Sequence, residues 1–494
     1  VKSLTALLIA AIAVVYVFSA KGYLEILDTQ YSVETAYSIL DHHNLLISSS
    51  GEGALTLPDG RRYSKYGIGF ALSFLPYIAV GTVVSHLVHQ PREQIVNFLL
   101  SFANIPYAVA TLVLFGAILR KAATAERVIF WLTLALGLGT LTWRYADYDF
   151  SEEIQMALLL LAVWGIVHPQ RREVFWSGIG FALLIVVKLV HIVLLPAFAL
   201  YLVFTTPRAD VLRRLFVFGI PTFLALFFLG FLNWARFGNP LESGYGGEVG
   251  HFEPTQVWWT LPALLFSLNK GLLTFCPAML LGVLGWPAFL RAQPKEALLL
   301  GALITALFLV SASWAGWGDG WGGGWAWGPR LVIPAIPLGL ISAAFFLDVP
   351  ALRRWRPALI ALIVLSIVAQ VPGILVKDQE IHLIKEGLAK TYPTAAVPSD
   401  LGMSWRLLFH KIARGNEIYS AGDFISPPPA PDPPVDLSTY RTFVGFNVWT
   451  EQASRQFHRS VIRFVPLFGV VLLAVIAMLA LRYRRAEMDG SPRA

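Results

Sequence analysis

Apolar residues in this chain come in long unbroken blocks, not in the short alternations of half-buried elements. Runs of roughly 17 to 25 apolar residues recur along most of its length. Each is long enough to cross a hydrocarbon core of about 30 Å at about 1.5 Å per residue. The alternating segments of about ten residues that build a membrane barrel are absent. The pattern predicts an all-α polytopic membrane protein.

The runs end at basic clusters: Arg120, Lys121 and Arg127; Arg171 and Arg172; Arg208, Arg213 and Arg214; Arg291 and Lys295; Arg353, Arg354 and Arg356; Arg482, Arg484 and Arg485. Lys and Arg collect in cytoplasmic loops. Placing every cluster there predicts about twelve transmembrane helices, near 4–20, 95–119, 127–144, 150–168, 173–188, 189–205, 213–232, 271–290, 296–313, 331–348, 357–374 and 461–482, with both termini cytoplasmic. The first run lacks a small-residue cleavage site after it and reads as a retained helix. The stretch Tyr66–Val88 is also apolar enough to span, but a crossing there would put the downstream clusters outside. Its Gly67, Gly69, Pro76 and Gly81 predict an interfacial or re-entrant helix pair instead; a spanning helix is the alternative.

This divides the chain into a membrane region over 1–374, with a first outer loop over 21–94, a small extracytoplasmic cap over 375–460, and a last helix with a basic cytoplasmic tail over 461–494. The cap carries a proline-rich run over 426–434, a stiff extended spacer. No internal repeat of the kind found in transporters is visible.

Composition narrows the chemistry. With 56% apolar and 14% charged residues and a mean hydropathy of +0.63, a soluble globular enzyme is excluded. The single cysteine, Cys276, excludes an intrachain disulfide framework or thiolate cluster. The net charge of +7 is explained by loop clusters, so no nucleic-acid partner is called for.

Four places on the outer side could carry chemistry. Asp28, just beyond the first helix and near the start of a second, is either a general base or a helix N-cap. The turn Arg144-Tyr-Ala-Asp147-Tyr-Asp149-Phe-Ser-Glu152-Glu153 packs four carboxylates between two helices. Its D-x-D pair, Asp147 and Asp149, can hold a divalent cation such as Mg or Mn with a phosphate, or can cap a short loop. Lys188 and His191 interrupt an apolar stretch where a tight outer turn must fall; they offer a counter-charge to a lipid phosphate, or Lys188 snorkels to the interface. In the run from Trp314 to Arg330, tryptophans alternate with glycines around Asp319. Trp325 and Trp327 can stack on a sugar ring or form an aromatic belt, while Arg330 can make a bidentate phosphate contact.

These residues stand in an order that resembles a known family. Asp28, Tyr63-Ser-Lys65-Tyr-Gly-Ile-Gly69 with Leu75-Pro76, Arg236-Phe-Gly-Asn-Pro240 with Ser243-Gly-Tyr245, Asn269-Lys270-Gly-Leu-Leu273 and Trp327-Gly-Pro-Arg330 resemble bacterial membrane glycosyltransferases of the GT-C superfamily. The similar branch is the one of dolichyl-phosphate-mannose protein mannosyltransferases and lipid A aminoarabinose transferases. The resemblance covers roughly residues 1–374. It implies a multi-pass protein of the bacterial plasma (inner) membrane with an extracytoplasmic active site, a polyprenyl-phosphate-linked sugar as donor, and a glycan, lipid or protein as acceptor. Asp28 takes the role of catalytic base. Lys188, Arg330, Arg144 and His191 become donor-phosphate ligands; Tyr63, Lys65, Trp325, Trp327 and Asp319 become sugar or acceptor contacts. No cofactor is required, and the D-x-D pair leaves room for a divalent cation. Many members follow the first Asp with Glu; here Thr29 follows. A transporter or flippase for a lipid-linked or amphiphilic solute, and a non-catalytic membrane subunit, are the competing readings. A transporter's charges should lie near the midplane, whereas these gather on one side.

Overall fold

The structure is a computed structural model that describes residues 2–167, 173–315, 322–347, 355–392, 397–414, 421–425 and 445–456. Asp319, the proline-rich run and the helix expected over 461–482 lie outside these residues.

The chain opens with an apolar helix, α1 (Lys2–Ser19), and a polar one, α2 (Leu27–His42). A small antiparallel hairpin follows, β1 (Ala54–Thr56) and β2 (Arg62–Ser64), in the register Leu55 to Tyr63. Among the described residues this hairpin is the one sheet beside the helices, and the block pattern could not show it because three-residue strands carry no readable period. Next come α3 (Ile68–Val88), α4 (Arg92–Leu100), α5 (Ile105–Lys121), α6 (Glu126–Leu138), α7 (Leu141–Tyr145), α8 (Glu152–Ile166), α9 (Glu173–Val187), α10 (Leu195–Thr205) and α11 (Val211–Phe237). After a connecting segment with the short α12 (Val257–Phe266) the chain continues through α13 (Leu272–Phe275), α14 (Met279–Ala292), α15 (Pro294–Ser313), α16 (Ile336–Ile341), α17 (Ala343–Leu347) and α18 (Arg356–Leu375). It ends in α19 (Asp378–Thr391), α20 (Asp400–Arg414) and α21 (Trp449–Gln456).

Among the described residues six helices are long and apolar enough to cross a membrane: Ile68–Val88, Arg92–Lys121, Val211–Phe237, Pro294–Ser313, Arg330–Leu347 and Pro357–Leu375. The protein is an all-α multi-pass membrane protein in this sense. Several expected spans are broken locally. Proline explains two of the breaks: Pro277 separates α13 from α14, and Pro334 lies in the 3₁₀ turn that begins at Arg330 and leads into α16.

The stretch 66–88 differs from its expected form. It is one helix, α3, and not a pair broken at glycine and proline; Pro76 sits inside it. The antiparallel partner of α3 is α4, with Tyr77 Oη donating to the Ala103 carbonyl across the hairpin at 3.4 Å. The polar α2 runs beside α3, and Arg92 at the start of α4 clamps Asp41 at the end of α2 at 2.7 and 3.0 Å.

Two ends of the helix bundle can be told apart. At one end Glu126 accepts from Arg120 at 2.6 Å and from Thr5 at 3.4 Å, and Lys121 meets Glu173 at 3.0 Å. At the other, Asn104 at the head of α5 donates to the carbonyls of Tyr148 and Phe150, both at 2.7 Å. That second end carries the acidic turn. It also carries the end of α1, because Tyr16 Oη donates to the carbonyl of Gly137 at 2.7 Å, close to where α6 stops.

Candidate active site

The second end gathers charge in two adjacent groups. The first is half open. Asp28 lies in the first turn of α2, whose N-cap is Ile26 without a side-chain cap. The carboxylate is thus not spent on capping. It accepts from Tyr66 Oη at 2.7 Å and faces Arg330 Nη1 at 3.5 Å, with 40% of its side chain exposed. Burial first, and Asp28 second, push the Tyr66 phenol well above its usual range, so Tyr66 stays a donor.

Arg330 opens the 3₁₀ turn that precedes α16 and stacks over Phe150 at 4.1 Å. Its Nε is 3.9 Å from Glu152 Oε1, and Lys188 Nζ reaches the same oxygen at 3.5 Å. Lys188 sits where α9 gives way to a 3₁₀ turn over Leu189–Leu194, the break expected there. Gly67 brings this turn and the first loop together: a Cβ at Gly67 would lie 2.1 Å from the Val187 carbonyl oxygen, so only glycine allows Tyr66 to stand beside Lys188. Lys65 forms an ion pair with Glu248 and lies 5.7 Å from the ring centres of Tyr66 and Tyr245. Burial first, then Asp28, also raise the Tyr245 phenol.

The second group is closed. Lys21, Glu25, Arg144, Asp147, Asp149 and Asp378 have side chains between 0% and 3% exposed. Lys21 pairs with Asp149 and, at 3.4 Å, with Glu25. Arg144 reaches Asp378 at 3.0 Å, Asp147 at 3.3 Å and Glu25 at 3.8 Å, and stacks over Tyr148 at 4.0 Å. Asp149 also accepts from the backbone N–H groups of Glu25 at 2.9 Å and Ile26 at 2.8 Å, and its carbonyl accepts from Thr29 Oγ1. Burial raises the Asp147 carboxyl to about 6 against the pull of Arg144 and Lys21.

Solved structures with this arrangement of helices include ArnT from Cupriavidus metallidurans in the apo state, at 16% identity and a TM-score of 0.51. ArnT from the same organism bound to undecaprenyl phosphate aligns at 13% identity and a TM-score of 0.52. Each alignment covers 82% of this chain and 68% of the ArnT chain. The chain has the fold of ArnT. A zinc- and sulfate-bound oligosaccharyltransferase from Archaeoglobus fulgidus aligns at 13% identity with a TM-score of 0.48, over 78% of this chain and 55% of the other. No protein-family model and no curated protein matches the chain.

Within this fold the expected site residues separate. Asp28, Lys188 and Arg330 come together at the open group, with Lys65 at its edge. Arg144 does not join them: it is the hub of the closed group. His191 is buried beside Gln155, with Nε2 2.7 Å from that side chain. Trp327 is 1% exposed, donates its indole N–H to Gln370 at 3.3 Å and packs on Phe275, so it is core and not a sugar platform. Tyr63 is likewise buried, edge-on to Phe237. Trp325 is 47% exposed and stacks flat on His382 at 5.3 Å.

The D-x-D pair does not fit a divalent cation. Lys21 and Arg144 already neutralise its two carboxylates, and Asp149 is further saturated by two backbone donors. Among the described residues no cluster of acidic, His or Cys side chains has the form of a metal site. Sequence reasoning left three partners unassigned, namely Tyr66, Glu152 and Tyr245, although all three stand inside motifs singled out above.

Proposed function

We propose that the chain is an integral membrane glycosyltransferase that moves a sugar from a polyprenyl-phosphate donor to an acceptor hydroxyl, a glycan, lipid or protein, on the outer face of a bacterial plasma membrane. The observation that carries this reading is the meeting of one half-exposed carboxylate, Asp28, with Arg330 at 3.5 Å, and of Arg330 and Lys188 on Glu152. Two acids and two cations stand at one mouth, and of the acids Asp28 is the exposed one, where a general base and a phosphate need to be neighbours.

Asp28 takes the proton of the acceptor hydroxyl as the oxygen attacks the anomeric carbon. The bond from that carbon to the phosphate oxygen breaks, and polyprenyl phosphate leaves with one more negative charge than it carried in the donor. Arg330 and Lys188 stabilise that charge as it develops. A single displacement inverts the anomeric centre. Without donor, Asp28 and Glu152 neutralise the two cations; donor phosphate takes over Arg330 and frees Asp28 as a base, while Tyr66 holds the carboxylate in place.

The same reading sets the topology. Lys2 and the Arg120–Lys121 cluster belong to the cytoplasmic end, and residues 20 and 104 to the outer end. Helices α2, α3 and α4 then lie along the outer interface, the polar α2 beside α3, and α3 does not cross.

The test is sugar transfer in membranes carrying matched amounts of wild type and Asp28→Asn. The variant keeps shape and hydrogen bonding but loses basicity, so transfer falls by about 10² or more. Activity close to wild type removes Asp28 from the chemistry.

A further inference from the structure

The described C-terminal residues form their own small core, in which Val376, Ile381, Ile384, Leu388, Met403, Leu407 and Phe424 are buried together. A passive cap would touch the bundle wherever shape allowed. This one grips residues 17–25, the segment that leads to Asp28. Trp449 donates its backbone N–H to the Ala20 carbonyl at 2.6 Å and its indole N–H to the Val17 carbonyl at 2.9 Å. Tyr23 Oη donates to Asn447 at 2.7 Å, and Lys377 Nζ stands 4.7 Å from the Tyr23 ring centre. Gln379 donates to the Glu25 carbonyl at 3.3 Å, and Asp378 receives Arg144 at 3.0 Å. Gly22 has φ +80° and its missing Cβ would lie 2.6 Å from Trp449 Cβ, so the fit leaves no room for a side chain.

From the opposite side Asp149 holds the same segment through the N–H groups of Glu25 and Ile26 and through Thr29. The backbone on either side of Asp28 is thus fixed to the acidic turn, and the acidic turn is fixed by Arg144 to the start of α19. Two residues beyond that turn's Arg330-stacking Phe150 comes Glu152, which holds the cations.

We infer that the C-terminal unit is a positioning element for Asp28: the clamp of Asn447, Trp449 and Gln379 on residues 17–25, together with the hold of Asp378 on Arg144 in the acidic turn, sets where the carboxylate stands relative to Arg330. This rests on the catalytic reading of Asp28. Asp378 and Tyr23 are positioning residues, since neither borders the open group. Displacing a reacting group by a fraction of its working distance costs turnover more than binding.

The experiment compares Asp378→Asn and Tyr23→Phe, each alone and combined with Asp28→Asn, in the full chain reconstituted with a polyprenyl-phosphate sugar. The expected result is a fall in kcat of about tenfold for Asp378→Asn and a smaller one for Tyr23→Phe, KM for donor staying within about twofold, as loss of orientation implies. In the Asp28→Asn background neither change should cost anything more, because the group being positioned is gone. Asp378→Glu should recover part of the loss. Tyr23→Phe deletes one hydroxyl and keeps the packing, so it reads the clamp even where Asp378→Asn does not accumulate. Full kcat in Tyr23→Phe and Asp378→Asn, or an equal further loss in the Asp28→Asn background, overturns the inference while leaving the catalytic reading intact. An active Asp28→Asn overturns both.

Discussion

Two charged groups stand side by side at one end of the helix bundle, built from the same residue types, and they differ in what is left over. In the closed group every cation meets more than one partner and no side chain is more than 3% exposed. In the open group Asp28 is 40%, Lys188 33% and Arg330 18% exposed, and the ion contacts are 3.5 to 3.9 Å long. Enclosed pairs in low dielectric hold a structure, since removing one partner strands the other. Partly solvated pairs hold little and are easily exchanged for a ligand's charge. The contrast between holding and exchanging, not the presence of charge, is what the proposed site rests on.

The comparison predicts effects of different kinds and sizes. The largest should be Lys21→Met, which strands Asp149 and Glu25 in the interior and should cost about 3–5 kcal/mol of stability, as breaking a buried pair does. Thermal denaturation in detergent reads it, and folded variant of unchanged Tm breaks the comparison. Next come Arg330→Gln and Lys188→Gln, each of which removes a charge-assisted contact worth roughly 1.5–3 kcal/mol to the phosphate. Donor affinity should fall while Tm stays within a degree or two, because these side chains are only loosely paired. Arg330→Lys should recover part of that affinity, since a point charge lacks the bidentate fork.

The smallest effect should be Asp147→Asn. The carboxyl is raised to about 6 from 3.8, so the folded protein binds its proton more tightly than the unfolded chain. Its stabilising contribution is full below pH 4 and is lost as pH rises through about 6. The amide removes this titration, so the variant's stability between pH 5 and 7 should slope less steeply downward than wild type's. An identical slope means that Asp147 is not the group titrating there.

Much of this was legible in the sequence, for reasons that can be named. Apolar runs of membrane length found most of the helices, and the break at Lys188 was visible because a cation cannot sit in mid-span without a turn. Asp28, Lys188 and Arg330 stood out because each is a charge beside an apolar run. The same signal misled at Arg144, Asp147 and Asp149, where the partner is another protein charge and not a ligand. Nothing in one sequence tells a carboxylate paired with Lys21 across 128 positions from one waiting for a metal. Trp327 misled in the same way, its glycine-rich setting suggesting exposure while the fold uses it against Gln370 and Phe275. The helices α19 and α20 went unread because their small core forms only where they pack on each other.

The central claim is that Asp28 and the donor phosphate share Arg330 in turn. Equilibrium binding of undecaprenyl phosphate to wild type, Asp28→Asn and Arg330→Gln in nanodiscs, with the phosphate-free polyprenol as control, tests it most directly. Removing the carboxylate that neutralises Arg330 should leave affinity unchanged or raise it in Asp28→Asn, while Arg330→Gln should bind about tenfold or more weakly and lose its preference over the polyprenol. Equal affinities of all three proteins, or weaker binding by Asp28→Asn than by Arg330→Gln, would contradict the account.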